Sequence, residues 1–348
     1  MWKIKTRQKI PMKLIIISIV SIILFIGALV GVRQYYFANL KPASNIQRTV
    51  IFKVSSGMTV SQIGSALYDQ HLIRSPWVFE WYVHSVNLNN NLEAGTFALS
   101  PSDSLQQIAN IIASGHVAED SVTILPGKTI MQIKNSLIND GFSVAEVNQA
   151  LNPSLYTNLP IIADKPKNIN TLEGLLFPDT FYKTSSTSAS VIIRESLTEM
   201  GQKITPSIQK AFANEGLSVY QGIILASIVE QEVSQVSAKA QVAQVFLSRL
   251  KQGMPLGSDV TANYGAIINN QPPSLSYNSP YNTLIHSGLP PTPIGTVSLS
   301  SLNAVAHPAN TNWLYFVTGD NGVTYFEQTL QQHNADVAQY CHKLCAQP

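Results

Sequence analysis

Two glutamates, Glu230 and Glu232, lie near the end of a largely apolar stretch, residues 220–233. The stretch predicts a buried helix, and at 100° per residue the two carboxylates would point about 200° apart. They cannot serve one pocket together, so one must act without the other. Glu230 shares its face with Ile223 and Ala226, and apolar surroundings disfavour the charged carboxylate, which would raise its pKa towards general-acid use. The alternative is that both glutamates are solvated at a helix end.

Polar and aromatic side chains recur in two later segments. A carboxylate, hydroxyls and aromatic rings together suit sugar hydroxyls and ring stacking. Prolines flank the second segment, so its loop has little conformational entropy to lose on ordering. Asp259 has an alternative role, in which it supports its own loop through backbone N–H groups. The predicted substrate-binding residues are Ser258, Asp259, Thr261, Tyr264, Tyr281, Asn282 and Thr283.

Five ordered blocks carry a resemblance to a known family. They are LEGLLFPDT (172–180), LASIVEQEV (225–233), RLKQGMPLGSDVTANYG (249–265), SPYNTLIHSGLPPTPIG (279–295) and LYFVTGDNGVTYFEQTLQQHN (314–334). In this order they resemble the signature blocks of the endolytic murein lytic transglycosylases (MltG, YceG-like), over about residues 49–340. The resemblance implies cleavage of the β-1,4 bond between N-acetylmuramic acid and N-acetylglucosamine within peptidoglycan strands. The products would carry 1,6-anhydro ends, and the reaction would terminate growing strands near penicillin-binding synthases.

The resemblance also assigns roles to residues. Glu230, the first Glu of ASIVEQE, matches the single acid/base, whereas ordinary glycosidases use two carboxylates about 5–9.5 Å apart. Arg249 is expected to pair with a buried carboxylate, and no metal or cofactor is expected. A structural or supporting role is predicted for Glu232, Glu173, Arg249, His333 and Asn334. The sequence departs from the family pattern at Gly257, Val260, Leu284, Val297 and Ser298, which bears on substrate affinity more than on reaction type.

A charge-free apolar run covers residues 14–32 and is nearly long enough to span a hydrocarbon core of about 30 Å. Five cations precede it, so residues 1–13 are predicted to be cytoplasmic and the body extracytoplasmic, at the inner membrane. The alternative is a cleaved signal peptide, although its apolar region is usually about 7–15 residues long.

A repeat organises the next part of the chain. The pattern G-x-T-[VI]-x-Q-I-x-x-x-L occurs at residues 57–67 and again at 127–137. Each copy predicts a strand, a glycine turn and a helix that starts with a capping box, Thr59 with Gln62 and Thr129 with Gln132. With a second helix and strand, the first copy forms a β-α-α-β unit that resembles a LysM-like peptidoglycan-binding module.

The predicted class is therefore α+β with one transmembrane helix. Its segments are a tether (33–48), the LysM-like subdomain (49–120), the second repeat and a proline-rich connector (121–170), a mixed α+β catalytic domain (171–340) and a tail (341–348). The tail holds both cysteines, Cys341 and Cys345, and their spacing leaves pairing or a free role open.

Charge narrows the choice of partner. Residues 1–33 hold six basic groups and no acid, which leaves 16 basic and 20 acidic residues in the body, a net charge of −4. A body of that sign lacks the basic surface that nucleic-acid binding requires, so no nucleic-acid partner is expected. Two other functions stay open: a non-catalytic peptidoglycan-binding scaffold for cell-wall synthases, and a hydrolytic muramidase that uses Glu230 with Asp259.

Overall fold

The computed structural model describes residues 12–46, 48–115, 120–183, 187–343 and 345, without the side chains of residues 12–20, 22 and 120. Within this part of the chain, long and short helices accompany three two-stranded antiparallel sheets, so the predicted α+β class is confirmed. The chain divides into two compact units, residues 1–118 and 119–348.

The first unit has the predicted β-α-α-β order after its N-terminal helix. Its elements are α1 (Met12–Asn39), β1 (Val50–Val54), α2 (Val60–Asp69), α3 (Pro76–Ser85), β2 (Gly95–Leu99) and α4 (Leu105–Ala113). β1 and β2 pair antiparallel, with Phe52 opposite Phe97, and both rings are fully buried against α2, α3 and α4.

Helix α1 covers the predicted membrane segment and continues past it. The predicted tether is therefore helical from residue 33 to Asn39, and Leu40 is buried in the core of the first unit. Part of the predicted segment lies outside the described side chains. Among the described residues, no single helix has the length and hydropathy to cross a membrane. The helices Pro206–Asn214 and Val219–Glu232 together reach that length and hydropathy, but they meet at a bend of 84°.

The second unit is built around one buried helix. Its elements are β3 (Asp120–Thr123), α5 (Ile130–Asn139), α6 (Val144–Ala150), α7 (Pro160–Ala163), β4 (Thr180–Lys183), α8 (Ala189–Lys203), α9 (Pro206–Asn214), α10 (Val219–Glu232), α11 (Val236–Lys251), α12 (Asp259–Ile267), α13 (Leu299–Ala306), β5 (Tyr315–Thr318), β6 (Thr324–Glu327) and α14 (Leu330–Tyr340). Every residue of α10 from Gly222 to Val229 is buried, as expected for a helix that is apolar all round. Helices α9, α11, α12 and α13 pack against it.

Local signals set the ends of these helices. Both predicted capping boxes are confirmed: Thr59 and Gln62 start α2, and Thr129 and Gln132 start α5. In the predicted connector, Pro153 and Pro160 begin short helical turns instead of interrupting structure, since proline is well suited to the first position of a helix.

The connector is also part of the core. The Tyr156 ring is fully buried, and its hydroxyl donates to the carbonyl oxygen of Ala150 at 2.6 Å. At the C-terminus, α14 ends at Tyr340, and Cys341 forms a disulfide with Cys345 across a Cα–Cα distance of 5.4 Å. The question left open by the cysteine spacing is thereby answered, because the helix stops before the pair.

Candidate active site

The last turn of α10 presents three consecutive polar side chains, Glu230, Gln231 and Glu232. The helix ends there because Val233 has an extended backbone. Carboxylates at a helix C-terminus face the negative end of the helix dipole, so helix stability does not explain their placement. The predicted divergence of the two glutamates is confirmed, since Glu230 contacts α11 and the start of α13 whereas Glu232 contacts the residue before α12.

Glu230 is held in a network of donors. Its Oε1 accepts from Lys239 Nζ at 3.0 Å, and its Oε2 accepts from the Ser298 backbone N at 3.0 Å and from Ser301 Oγ at 2.6 Å. Burial by itself raises the pKa of Glu230, but the hydrogen bonds from Ser298, Ser301 and Lys239 outweigh it, and the pKa lies below its usual value. The expectation of a raised pKa at Glu230 is therefore wrong, because polar partners cover the carboxylate that the helix pattern placed among apolar residues.

Glu232 has the raised pKa that the sequence led us to expect of Glu230. Its side chain is partly exposed, and its Oε1 accepts a 2.5 Å hydrogen bond from Ser258 Oγ. Desolvation by burial raises the pKa of Glu232 to about 7; the Ser258 hydrogen bond opposes this rise, the charge of Asp259 adds to it, and Arg249 opposes it. Among the described glutamates of α10, Glu232 is therefore the one that keeps its proton near neutral pH.

The residue before α12 is fixed by a buried hydroxyl network. Thr283 Oγ1 accepts from the Ser258 backbone N at 3.1 Å and lies 2.7 Å from Thr261 Oγ1, which also donates to the Ser258 carbonyl oxygen. Asn282 donates to the carbonyl oxygens of Leu275 and Tyr277. In this conformation Thr261, Asn282 and Thr283 are buried and order their loops, so substrate contact by these residues stays a prediction. Asp259 is exposed beside Glu232.

Arg249 supports the same loop from α11. Its guanidinium donates to the carbonyl oxygens of Leu256 and Leu314 and lies over the Tyr315 ring, 5.0 Å from its centroid. Arg249 thus donates to backbone carbonyl oxygens and covers an aromatic ring, and its positive charge acts to lower the pKa of Glu232. Its expected pairing with a buried carboxylate stays a prediction.

A second buried carboxyl lies at the other end of α12. Glu173 accepts from the Ile130 backbone N, at the start of α5, and from Tyr264 Oη at 3.0 Å. Burial raises the pKa of Glu173 to about 7, against the lowering effect of these hydrogen bonds. Gly174 places it with φ of +71°, and Pro293 fills the space where a Cβ would be. The Tyr264 ring lies 5.0 Å from that of Tyr281.

The remaining predicted residues lie on α14. His333 Nδ1 is 3.3 Å from Glu327 Oε2, and its ring stacks on Tyr315 at 5.5 Å. Burial raises the pKa of Glu327 to about 8, with Asp336 adding to the rise, whereas burial lowers the pKa of His333. Asn334 is exposed.

Sequence reasoning missed four residues of the site: Lys239, Ser298, Ser301 and Gln231. Lys239 had a signal, because its neighbours at helical spacing on α11, Val242, Ala243 and Phe246, are apolar, and a cation buried among them needs a partner. Gln231 Nε2 donates to the Gly127 carbonyl oxygen and so ties the end of α10 to the second repeat. A cavity of about 300 Å³ begins beside this link and is lined on α5 by polar residues that include Gln132, Asn135, Ser136 and Asn139.

A partly exposed carboxyl with a pKa near 7, backed by a rigid polar loop, is typical of an acid–base enzyme centre. The chain belongs to the YceG-like family, whose sequence model matches residues 52–339.

Individual relatives are similar over most of the chain. A protein of Bacillus subtilis named endolytic murein transglycosylase is 30% identical over 326 residues, which are 89% of this chain and 90% of the relative. A protein of the same name from Streptococcus pneumoniae is 27% identical over 342 residues, 88% of this chain and 61% of the relative. The crystal structure of a YceG-like protein from Listeria monocytogenes matches with a TM-score of 0.55 and 28% identity, covering 83% of this chain and 99% of that one.

Proposed function

We propose that this protein is an endolytic murein transglycosylase that cleaves the bond between N-acetylmuramic acid and N-acetylglucosamine within peptidoglycan strands and leaves 1,6-anhydro ends. The observation that carries the reaction is the Glu232 carboxyl, whose pKa of about 7 keeps it protonated in a large fraction of molecules at neutral pH. The names of the two bacterial relatives support the substrate.

The reaction needs one carboxyl used twice. Protonated Glu232 gives its proton to the bridging oxygen as the bond from that oxygen to the anomeric carbon breaks. The resulting carboxylate then takes the proton of the muramyl C6 hydroxyl, whose oxygen forms the new bond to the anomeric carbon. The carboxyl ends protonated, as it began, and no water is consumed. Ser258 holds the carboxylate form in place, and Asp259 disfavours it, so the two neighbours balance its acid and base forms.

Glu230 fits a positioning role better than a catalytic one. Its carboxylate is covered by Lys239, Ser298 and Ser301, and its lowered pKa leaves it little proton to donate at neutral pH. The resemblance assigns acid/base catalysis to Glu230, and that assignment stays a prediction; the proposal places the role on Glu232 because of the opposite pKa shifts of the two glutamates.

The setting of the reaction is also part of the proposal. Residues 14–32 anchor the chain in the inner membrane, with the N-terminus in the cytoplasm and the catalytic unit outside, where strands are being extended by penicillin-binding synthases. The β-α-α-β unit binds glycan in the manner of a LysM module. Support comes from the charge-free run, from the exposed apolar side chains of α1 between Ile23 and Val32, and from the element order of the unit.

One observation favours a second candidate, a hydrolytic muramidase. Asp259 is exposed and close enough to Glu232 to raise its pKa, so a carboxylate pair is available in principle for a two-carboxyl mechanism. The products distinguish the two reactions, since hydrolysis gives reducing muramic acid ends.

Mass spectrometry of the products tests the proposal. The full chain in detergent is incubated with purified peptidoglycan, and internal fragments are analysed. Fragments that end in 1,6-anhydro-muramic acid are expected. Fragments with reducing ends would contradict the proposal and indicate a hydrolytic muramidase. Glycan binding without cleavage would contradict it and indicate a non-catalytic scaffold.

A further inference from the structure

Five aromatic side chains form one surface where α1 meets α3, here called the aromatic collar: Tyr35, Tyr36, Phe37, Trp77 and Trp81. Ring centroids are 4.4 Å apart for Tyr36 and Trp81, 5.2 Å for the two tryptophans and 6.1 Å for Tyr35 and Trp77. The Tyr35 hydroxyl also donates to Ser75 Oγ, the N-cap of α3. The last turns of α1 and the start of α3 are thus fixed to each other.

The collar is exposed although its side chains are large and aromatic. Val78, Phe79 and Val83 fill the core of the first unit from one face of α3, while Trp77 and Trp81 on the other face are 52% and 40% exposed. Contiguous exposed aromatic surface of this kind marks an interaction site.

The neighbours of the collar indicate what covers it. On α1 it directly follows a run of exposed apolar side chains that includes Leu24, Phe25 and Leu29, each at least 54% exposed. Tyr36 lies four residues beyond the charge-free run, a rise of about 6 Å along the helix. Tryptophan and tyrosine collect at that depth of a membrane protein, because their rings are apolar and their N–H or O–H groups need polar partners.

Cations surround the same surface. The Arg33 guanidinium lies over the Phe37 ring at 5.0 Å, and Arg74, just before α3, donates to the Pro42 carbonyl oxygen at 2.8 Å. Arg33, Lys41 and Arg74 are all exposed. Guanidinium and ammonium groups beside exposed aromatic rings pair with the phosphate groups of phospholipid headgroups, which are present in both leaflets.

We propose that the aromatic collar lies in the headgroup region of a phospholipid bilayer, so that α3 is a second membrane contact beside α1. The inference rests on the proposed membrane anchoring of residues 14–32 and goes beyond it. The contact of the collar with the bilayer holds the first unit at the membrane surface, whereas a flexible tether would let that unit move away. The main competing occupant is glycan, but neighbouring collar rings are tilted by 42–79° to one another and so offer no flat stacking platform.

Tryptophan fluorescence of the full chain in vesicles tests this. The vesicles contain phosphatidylglycerol and a nitroxide quencher attached either near the headgroup or deep in the acyl chain. Trp77 and Trp81 are two of the four tryptophans and therefore contribute much of the emission. Because the collar is proposed to lie at headgroup depth, the shallow quencher is expected to act more strongly than the deep one. The double variant Trp77→Phe/Trp81→Phe should lose roughly half or more of the quenchable emission, because phenylalanine keeps the packing and removes the fluorophore. Trp313→Phe is the matched control and should retain it.

Flotation with the vesicles separates the collar from the anchor. A chain that floats with vesicles but shows no stronger shallow quenching, or whose quenching is not reduced by the double substitution, overturns the collar alone. A chain that does not float overturns both collar and anchor, without bearing on peptidoglycan cleavage, which is assayed separately. An emission shift caused by N-acetylglucosamine oligomers and lost in the double variant assigns the surface to glycan and also overturns the proposal.

Discussion

In the proposed reaction, the proton that breaks the glycosidic bond has to come from a carboxyl that still holds it near neutral pH. Glu232 meets this condition because burial and Asp259 both disfavour its charged form. If the protonated form starts the reaction, kcat/KM falls as pH rises above about 7, since the free enzyme loses its acid.

Substitutions of Asp259 and Ser258, the two neighbours of Glu232, should shift the pH at which kcat/KM falls in opposite directions. Asp259→Asn removes a negative charge, lowers the pKa of Glu232 and shifts the fall in kcat/KM to lower pH. Ser258→Ala removes a donor to the carboxylate, raises the pKa and shifts the fall to higher pH. The measurement is the pH profile of peptidoglycan cleavage by each variant. Shifts of the same sign, or no shift in either, would show that another group titrates.

The same carboxyl should cost stability at high pH. The pKa of Glu232 is raised from 4.5 to about 7 on folding, so the stability it contributes is complete below about pH 4.5 and is lost as pH rises through 7. Glu232→Gln stays neutral, and should therefore stabilise the fold at pH 8 by at most about 3 kcal/mol, with little effect at pH 4. Urea unfolding at the two pH values checks this. Equal changes at both would mean that the pKa is not raised.

At the scale of elements, the ion pair between Lys239 and Glu230 connects α11 to the end of α10, and Ser298 and Ser301 connect both to α13. Its side chains are only 4% and 10% exposed. Lys239→Met leaves a buried carboxylate without its cation, and should cost about 3–5 kcal/mol of unfolding free energy.

The matched control is Lys251→Met, which breaks a pair with Glu215 whose lysine is 61% exposed. That loss should stay within about 1 kcal/mol because water screens the pair. Urea denaturation at one pH compares the two variants. Similar losses of unfolding free energy in the two variants would mean that the pair between Lys239 and Glu230 does not stabilise the packing of α10 on α11.

The starts of two helices and the directions of the two glutamates could be predicted from the sequence. The capping boxes at Thr59 and Thr129 and the opposite directions of Glu230 and Glu232 depend on residues within a helical turn or two, and local spacing predicts them. The pKa values of the two glutamates were not readable. They depend on Lys239, Ser258 and Ser298, which come from other elements and reach the site only in the folded chain.

At the scale of the molecule, the charge of the body led us to expect no nucleic-acid partner, which stays a prediction. The five ordered blocks resembled the family whose sequence model matches residues 52–339. A tether was predicted at residues 33–48, whereas the structure continues α1 through the first part of it to Asn39. Tyr36 packs there against Trp81 in the first unit, and this tertiary contact extends the helix to Asn39.

The most direct test compares the cleavage rates of Glu232→Gln and Glu230→Gln in the full chain. Peptidoglycan is the substrate, and circular dichroism confirms that both variants are folded. Glutamine keeps the shape of each side chain but cannot shuttle a proton. Glu232→Gln is expected to show no cleavage above background, while Glu230→Gln, which alters a positioning residue, retains measurable cleavage with anhydro ends. Full loss in Glu230→Gln with activity preserved in Glu232→Gln would contradict this account and assign the proton transfer to Glu230.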